Sequence, residues 1–162
     1  MNQFIHWLFA IIFALSTLTY SQNKTILHIG DSHIVPNIIT KVVEDSLKTK
    51  YDTVKTHVYA INGKTYSYFI KNKKTLNSKL NNYKPNIVII SLGTNDYFNG
   101  NNKTNFKKQV ITLIDIIKNN DSTIKIILTS PPNNKHHNNM ETCANILKEV
   151  SKENKNVYYC DI

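Results

Sequence analysis

The chain has 162 residues, enough for one domain with a core between a sheet and two layers of helices. A hydrophobic fraction of 41% excludes a disordered protein. All 20 basic residues are lysine, so the net charge of +9 comes without the guanidinium groups that read phosphates and bases. We therefore predict no nucleic-acid partner, and we interpret the charge as a weak preference for anionic polymers such as cell-wall glycans.

The first 21 residues have the pattern of a secretory signal peptide. Residues 4–18 form an apolar run that is shorter than the roughly 20 residues needed to span a bilayer. Thr19 and Ser21 then supply small residues at the positions that signal peptidase prefers. We predict cleavage before Gln22, export of a domain formed by residues 22–162, and no membrane span after cleavage. An uncleaved membrane anchor is the alternative, because no Lys or Arg precedes the apolar run.

The remaining chain alternates short apolar runs with amphipathic segments. In chain order these predict a strand at 25–29, a helix at 36–47, a strand at 53–60, a helix at 66–80, a strand at 86–92, a helix at 106–117, a strand at 124–128, a helix at 140–150 and a strand at 157–160. Five apolar residues share one predicted face of the first helix: Ile38, Ile39, Val42, Val43 and Leu47. The alternation predicts a three-layer α/β/α sandwich around a parallel, five-stranded sheet.

Polar turns that contain glycine follow the first three predicted strands. Residues 30–33 (Gly-Asp-Ser-His) end the first strand, 62–63 (Asn-Gly) the second, and 93–96 (Gly-Thr-Asn-Asp) the third. In a sheet of flavodoxin-like order, ligands bind outside the carboxyl ends of the strands, where the first and third strands diverge. We therefore expect these turns to meet at one edge of the sheet and to form the functional site.

The motifs of these turns resemble the sequence blocks of the SGNH (GDSL-like) ester hydrolases. Gly-Asp-Ser at 30–32 is similar to the first block, which carries the nucleophile, Gly63 to the second, and residues 93–96 to the Gly-x-Asn-Asp third block. The resemblance covers about residues 25–160, with the blocks in the family's order. It implies the flavodoxin-like sandwich and a serine ester hydrolase that acts on a small-molecule or glycan ester. No metal-ligand spacing is present in the sequence, and we predict no cofactor.

The resemblance also implies roles for individual residues. Ser32 would be the nucleophile that attacks the ester carbonyl. The backbone N–H groups of Ser32 and Gly63 and the side-chain amide of Asn95 would donate to the oxyanion, and glycine at 63 lets the backbone approach the ligand closely. Tyr97 and Phe98 follow the third block directly, so they are candidate substrate contacts. We interpret Asp31 as structural, holding its turn through hydrogen bonds.

The family's fourth block, Asp-x-x-His, does not occur after the third block of this sequence. In the family its His takes the proton of the serine and its Asp orients the imidazole. His136 and His137 are candidate replacements in the loop after the fourth strand, but no nearby upstream Asp would orient them. We interpret His28 and His57 as core or sheet-face residues, and His33 as turned away from the serine. The expected explanation is a fragment that ends about 30–40 residues early, without its last helix.

The leading hypothesis is thus an exported serine esterase. His after the serine also resembles exported bacterial esterases that remove O-acetyl groups from peptidoglycan or other glycans. The alternatives are a catalytically inactive glycan-binding protein of the same fold, and a basic surface-binding protein in which only the charge matters. We interpret Asp96 as a turn or helix cap. Cys143 and Cys160 would either pair or remain free thiols, and the sequence leaves that choice open.

Overall fold

The computed structural model describes residues 23–98, 100, 102–132 and 139–161, apart from the side chains of Ile38, Ile39, Phe98 and Asn139. Its sheet has five parallel strands in the order β2-β1-β3-β4-β5. The strands are β1 (Lys24–Gly30), β2 (Val54–Ala60), β3 (Ile87–Ser91), β4 (Lys125–Thr129) and β5 (Val157–Cys160). The helices are α1 (Ile38–Lys48), α2 (Tyr66–Lys71), α3 (Lys73–Tyr83), α4 (Thr94–Phe98), α5 (Lys103–Asn120) and α6 (Asn139–Glu153). The predicted α/β class and flavodoxin-like strand order are confirmed.

The two faces of the sheet are covered unequally within the described part of the chain. Four helices (α2, α3, α5 and α6) pack on one face and form the larger core with the inward side chains of β1, β3 and β4. On the other face Val43 and Leu47 of α1 pack against a small group of strand residues that includes Ile26 and Ile89. Because β1 and β3 are inner strands, apolar residues on both of their faces are buried, as their continuous apolar runs predict.

Three local features differ from the sequence-based expectation. The helix predicted at 66–80 is two helices, because the Asn72 backbone leaves helical geometry while its side chain donates to the Tyr68 carbonyl. The short helix α4 forms within the third polar turn, where only a turn is expected. Val42 was expected on the buried face of α1 but is 60% exposed. Since Val43 and Leu47 define the buried stripe, Val42 lies about 100° away from it around the helix.

The other predictions concern the N-terminal segment, two histidines and the two cysteines. The predicted signal peptide, His136 and His137 lie outside the described residues. Cys143 is buried and Cys160 is exposed, and both are free thiols. Among the described residues, no helix is both long enough and apolar enough to cross a membrane.

Candidate active site

The turns that follow β1, β2 and β3 contact one another at the carboxyl edge of the sheet. The Gly30 carbonyl accepts a hydrogen bond from the Ile61 N–H at 3.1 Å, which joins the first turn to the second. Asn95 Nδ2 donates to Asp31 Oδ2 at 2.9 Å and to the Lys64 carbonyl at 3.2 Å, which joins the third turn to the other two. The structure therefore brings the three polar turns together as one site.

Ser32 lies exposed in the tight turn between β1 and α1. Next to it, the Asp31 carbonyl accepts from the Ile34 N–H at 3.1 Å and Asp31 Oδ1 accepts from the His33 N–H at 3.1 Å. A Cβ at Gly30 would lie 2.5 Å from Ile34 Cγ1, so only glycine allows Ile34 to close against the end of the strand. The backbone around Ser32 is thus fixed, while the residue itself faces solvent.

Asp31 is buried and acts as an acceptor that organises the site. One carboxylate oxygen binds the His33 N–H and the other binds the Asn95 amide. Burial raises the pKa of the Asp31 carboxyl, and these hydrogen bonds partly offset that rise. With both oxygens engaged inside the protein, Asp31 has the contacts of a structural residue rather than those of a proton acceptor for substrate.

The predicted oxyanion donors Gly63 and Asn95 differ in whether they are already hydrogen-bonded within the protein. Gly63 is exposed, has a left-handed φ of 69°, and a Cβ built there would meet no protein atom within 4 Å. Its conformation favours glycine, and the space beside it is open to a ligand. Asn95 instead uses its amide group for Asp31 and Lys64. Donation from Asn95 to an oxyanion would therefore replace one of these two bonds.

Asp96 lies directly after Asn95 but points to a different partner. Its carboxylate oxygens accept from the Tyr66 N–H at 3.2 and 3.4 Å, at the start of α2. Burial raises the pKa of Asp96 to about 7, the Tyr66 hydrogen bond opposes the rise, and the nearby Asp31 charge adds to it. Asp96 is thus a helix cap supplied from another part of the chain. The Tyr66 hydroxyl is buried and has no hydrogen-bond partner among the described residues.

The two candidate substrate contacts are placed differently. Tyr97 is partly buried against the larger core, and its ring lies edge-on to Phe106 with centroids 6.5 Å apart. The side chain of Phe98 is outside the described set. Substrate contact by Tyr97 or Phe98 remains a prediction.

A buried polar network beneath the site was not foreseen from the sequence. His28 Nδ1 lies 2.8 Å from Thr40 Oγ1, His28 Nε2 lies 2.8 Å from Ser91 Oγ, and Thr129 Oγ1 donates to Ser91 Oγ at 2.8 Å. Burial lowers the pKa of His28 to about 4, so the ring is neutral near pH 7. In the sequence, the network is visible as a polar residue in each of three apolar strands: His28 within β1, Ser91 at the end of β3 and Thr129 at the end of β4.

The remaining described histidines are also accounted for. His57 on β2 stacks on Tyr83 of α3, with ring centroids 3.9 Å apart and planes 4° apart. His33 is exposed directly after Ser32, and its backbone N–H binds Asp31.

A sequence model of the GDSL-like lipase/acylhydrolase family matches residues 29–162, which include all three turns. The chain belongs to this family. The family is one of lipases and acylhydrolases, which are ester hydrolases, so the predicted family is confirmed. Comparison with curated protein sequences gives no significant match.

Solved structures with the same fold include several esterases. The Clostridium thermocellum family 3 carbohydrate esterase has a TM-score of 0.68 and 16% identity, over 86% of this chain and 78% of that one. A psychrotrophic esterase from Pseudoalteromonas sp. has a TM-score of 0.66 and 19% identity, over 86% and 77% of the two chains. A family 3 carbohydrate esterase from Talaromyces cellulolyticus has a TM-score of 0.65 and 14% identity, over 85% and 78%. These similarities establish the SGNH hydrolase fold.

Proposed function

We propose that the protein is an exported serine ester hydrolase that uses Ser32 as nucleophile and removes O-acetyl groups from glycans. The observation that carries the proposal is the exposed Ser32 in a turn that Asp31 ties to Asn95 of the third block. The carbohydrate esterases among the similar structures support a glycan ester as substrate. The signal-peptide pattern of residues 1–21 supports export.

In the proposed reaction, Ser32 Oγ attacks the acetyl carbonyl carbon and loses its proton to a general base. The N–H groups of Ser32 and Gly63 and the Asn95 amide donate to the carbonyl oxygen as it becomes negative. The C–O bond to the sugar then breaks, and the sugar oxygen takes up a proton as it leaves. Water hydrolyses the acetyl-serine, which releases acetate and restores the Ser32 hydroxyl.

The general base is the part of this mechanism that the described residues do not supply. Both ring nitrogens of His28 are bonded and its pKa is lowered by burial to about 4, so it is a poor proton acceptor near pH 7. His57 is stacked on Tyr83. His33 is exposed and directly follows Ser32, a position from which we expect its ring to point away from the serine, so His136 and His137 stay the candidate bases within this sequence.

The proposal is tested by hydrolysis of 4-nitrophenyl acetate by the purified protein, with and without added imidazole. Ser32→Ala, checked by circular dichroism for an unchanged fold, is subtracted at each imidazole concentration because imidazole itself cleaves the ester. We expect Ser32-dependent turnover. If it needs imidazole, Ser32 and the oxyanion donors are competent and a base has to be supplied. Turnover equal to that of Ser32→Ala under both conditions would contradict the proposal.

A catalytically inactive glycan-binding protein is the second candidate, and one observation favours it. Among the described residues, His28 is bonded at both ring nitrogens and His57 is stacked on Tyr83, so neither is free to serve as the base for Ser32. This candidate predicts binding to an O-acetylated glycan that is unchanged in Ser32→Ala, together with no hydrolysis of that glycan. Product release that disappears in Ser32→Ala would rule it out.

A further inference from the structure

Buried polar side chains lower stability unless they are hydrogen-bonded, so a histidine inside an apolar strand needs specific partners. His28 is 1% exposed in β1 and has a partner at each ring nitrogen, Thr40 Oγ1 on one side and Ser91 Oγ on the other, both at 2.8 Å. These partners belong to different halves of the candidate active site. Thr40 belongs to the helix that follows Ser32, and Ser91 to the strand that leads to Asn95.

The Thr40 bond matters because α1 begins without the usual side-chain cap. Asn37 at its N-cap position has a left-handed φ of 61°, and its side chain makes no capping hydrogen bond. Such a cap ordinarily stabilises a helix start by satisfying an orphan N–H group. The contact between Thr40 in the first turn of α1 and His28 in β1 therefore ties the start of this helix to the sheet. The residues between these two anchors include Ser32.

The Ser91 bond extends the same anchor to the third block. Ser91 is the last residue of β3, four positions before Asn95, and it also accepts a hydrogen bond from Thr129 at the end of β4. One imidazole thus connects β1, α1 and β3, and through Ser91 it reaches β4. Displacement of the His28 ring would disturb the Ser32 turn and the Asn95 turn together.

We propose that His28 is a positioning residue that holds the Ser32 turn through Thr40 and the Asn95 turn through Ser91. Its catalytic consequence rests on the proposed esterase function, but its structural consequence does not. The residue acts through its neighbours and exchanges no proton with substrate.

The test uses Thr40→Val, which removes the hydroxyl that binds His28 and keeps the branched shape. Thr40→Ser restores a hydroxyl at the same position. Thr112→Val is the matched control, because the Thr112 hydroxyl binds the Lys108 carbonyl on α5, away from this network. Amide hydrogen exchange is measured at Ile34 and Val35, whose N–H groups bind the Asp31 carbonyl in the Ser32 turn. Exchange at Val88 and Ile90 in β3 reports the stability of the whole domain.

We expect Thr40→Val to speed exchange at Ile34 and Val35 about tenfold more than at the β3 amides, an effect that reports local opening of the turn. Thr40→Ser should restore slow exchange, and Thr112→Val should resemble the wild type. Equal changes in exchange rate at the turn amides and at the β3 amides would overturn the inference. Failure of Thr40→Ser to restore slow exchange at the turn amides would also overturn it.

A second readout is the kinetics of 4-nitrophenyl acetate hydrolysis. Thr40→Val should lower kcat about tenfold with little change in KM, because a misplaced nucleophile affects the chemical step. Wild-type kcat in Thr40→Val despite an opened turn would contradict a catalytic consequence for the anchor. Absence of Ser32-dependent turnover in the wild type would count against the proposed function alone, and the exchange result would still decide the role of His28.

Discussion

Buried ionisable groups lie on the two faces of the sheet close to the site, and their surroundings differ. On the α1 face, His28 is bonded at both ring nitrogens and its partner Ser91 is bonded in turn to Thr129. On the opposite face, Asp96 accepts the Tyr66 N–H, but the Tyr66 hydroxyl has no partner among the described residues. The first group is a fully paired network, whereas the second is a cap with an unpaired neighbour. Hydrogen bonds therefore offset the cost of burial for the His28 network, but not for the Tyr66 hydroxyl.

The two groups also respond to pH with opposite sign. Burial lowers the pKa of His28 in the folded state to about 4 from its usual value of 6.5, so its contribution to stability is present above pH 6.5 and is lost as the pH falls toward 4. Burial raises the pKa of Asp96 in the folded state to about 7 from its usual value of 3.8. Its contribution is present below pH 3.8 and is lost as the pH rises toward 7. Between about pH 4 and 6.5 the two contributions oppose each other.

The largest expected effect comes from replacing Asp96 or His28, whose contributions to stability change with pH in opposite directions. In Asp96→Asn, the free energy of unfolding should rise with pH between about pH 4 and 6.5 relative to the wild type, by about 1.4 kcal/mol per unit and about 3 kcal/mol across the window. His28→Gln should show the opposite trend relative to the wild type. Urea denaturation at several pH values measures both. Parallel pH profiles for the two variants would mean that the burial of these groups does not set their titration.

A second, smaller effect tests how far the paired network stabilises the fold. His28→Leu leaves the buried Thr40 hydroxyl without its partner and leaves Ser91 with only its bond from Thr129, and we expect a loss of about 2 kcal/mol in the free energy of unfolding at pH 7. His57→Leu is the control, because His57 contacts Tyr83 by stacking. The loss of unfolding free energy in His57→Leu should be about half of that in His28→Leu, or less. Equal losses in the two variants, measured by urea denaturation with unchanged m-values, would show that the network adds nothing specific.

Local patterns account for the part of the fold and site that could be predicted. The apolar runs of β1 and β3 end in glycine and polar residues, and a strand followed by such a turn is visible within about ten residues of sequence. That is sufficient to place Ser32, Gly63 and Asn95 at one edge of the sheet. The same reasoning misplaces Val42, because the width of the buried stripe on α1 depends on what packs against the helix.

Contacts between distant residues account for what could not be predicted. Asn95 holds Asp31, which is 64 positions earlier in the sequence, and Asp96 caps a helix that begins 30 positions earlier. His28 is paired with Ser91 across 63 positions. No periodicity or turn motif encodes such a pairing, since it depends on strand register and on the packing of α1. The interpretation of His28 as a satisfied core residue was possible, but the identity of its partners was not.

The smallest expected effect contrasts the removal of one hydroxyl on each face. Tyr66→Phe removes a buried hydroxyl that has no partner among the described residues, so unfolding free energy should stay the same or rise by about 1 kcal/mol. Ser91→Ala removes a hydroxyl that binds both His28 and Thr129, so it should cost about 1–2 kcal/mol. Both substitutions delete one oxygen from a side chain next to the site, and urea denaturation at pH 7 compares them directly. A loss in Tyr66→Phe as large as that in Ser91→Ala would mean that the Tyr66 hydroxyl is paired, and that the two faces are satisfied alike.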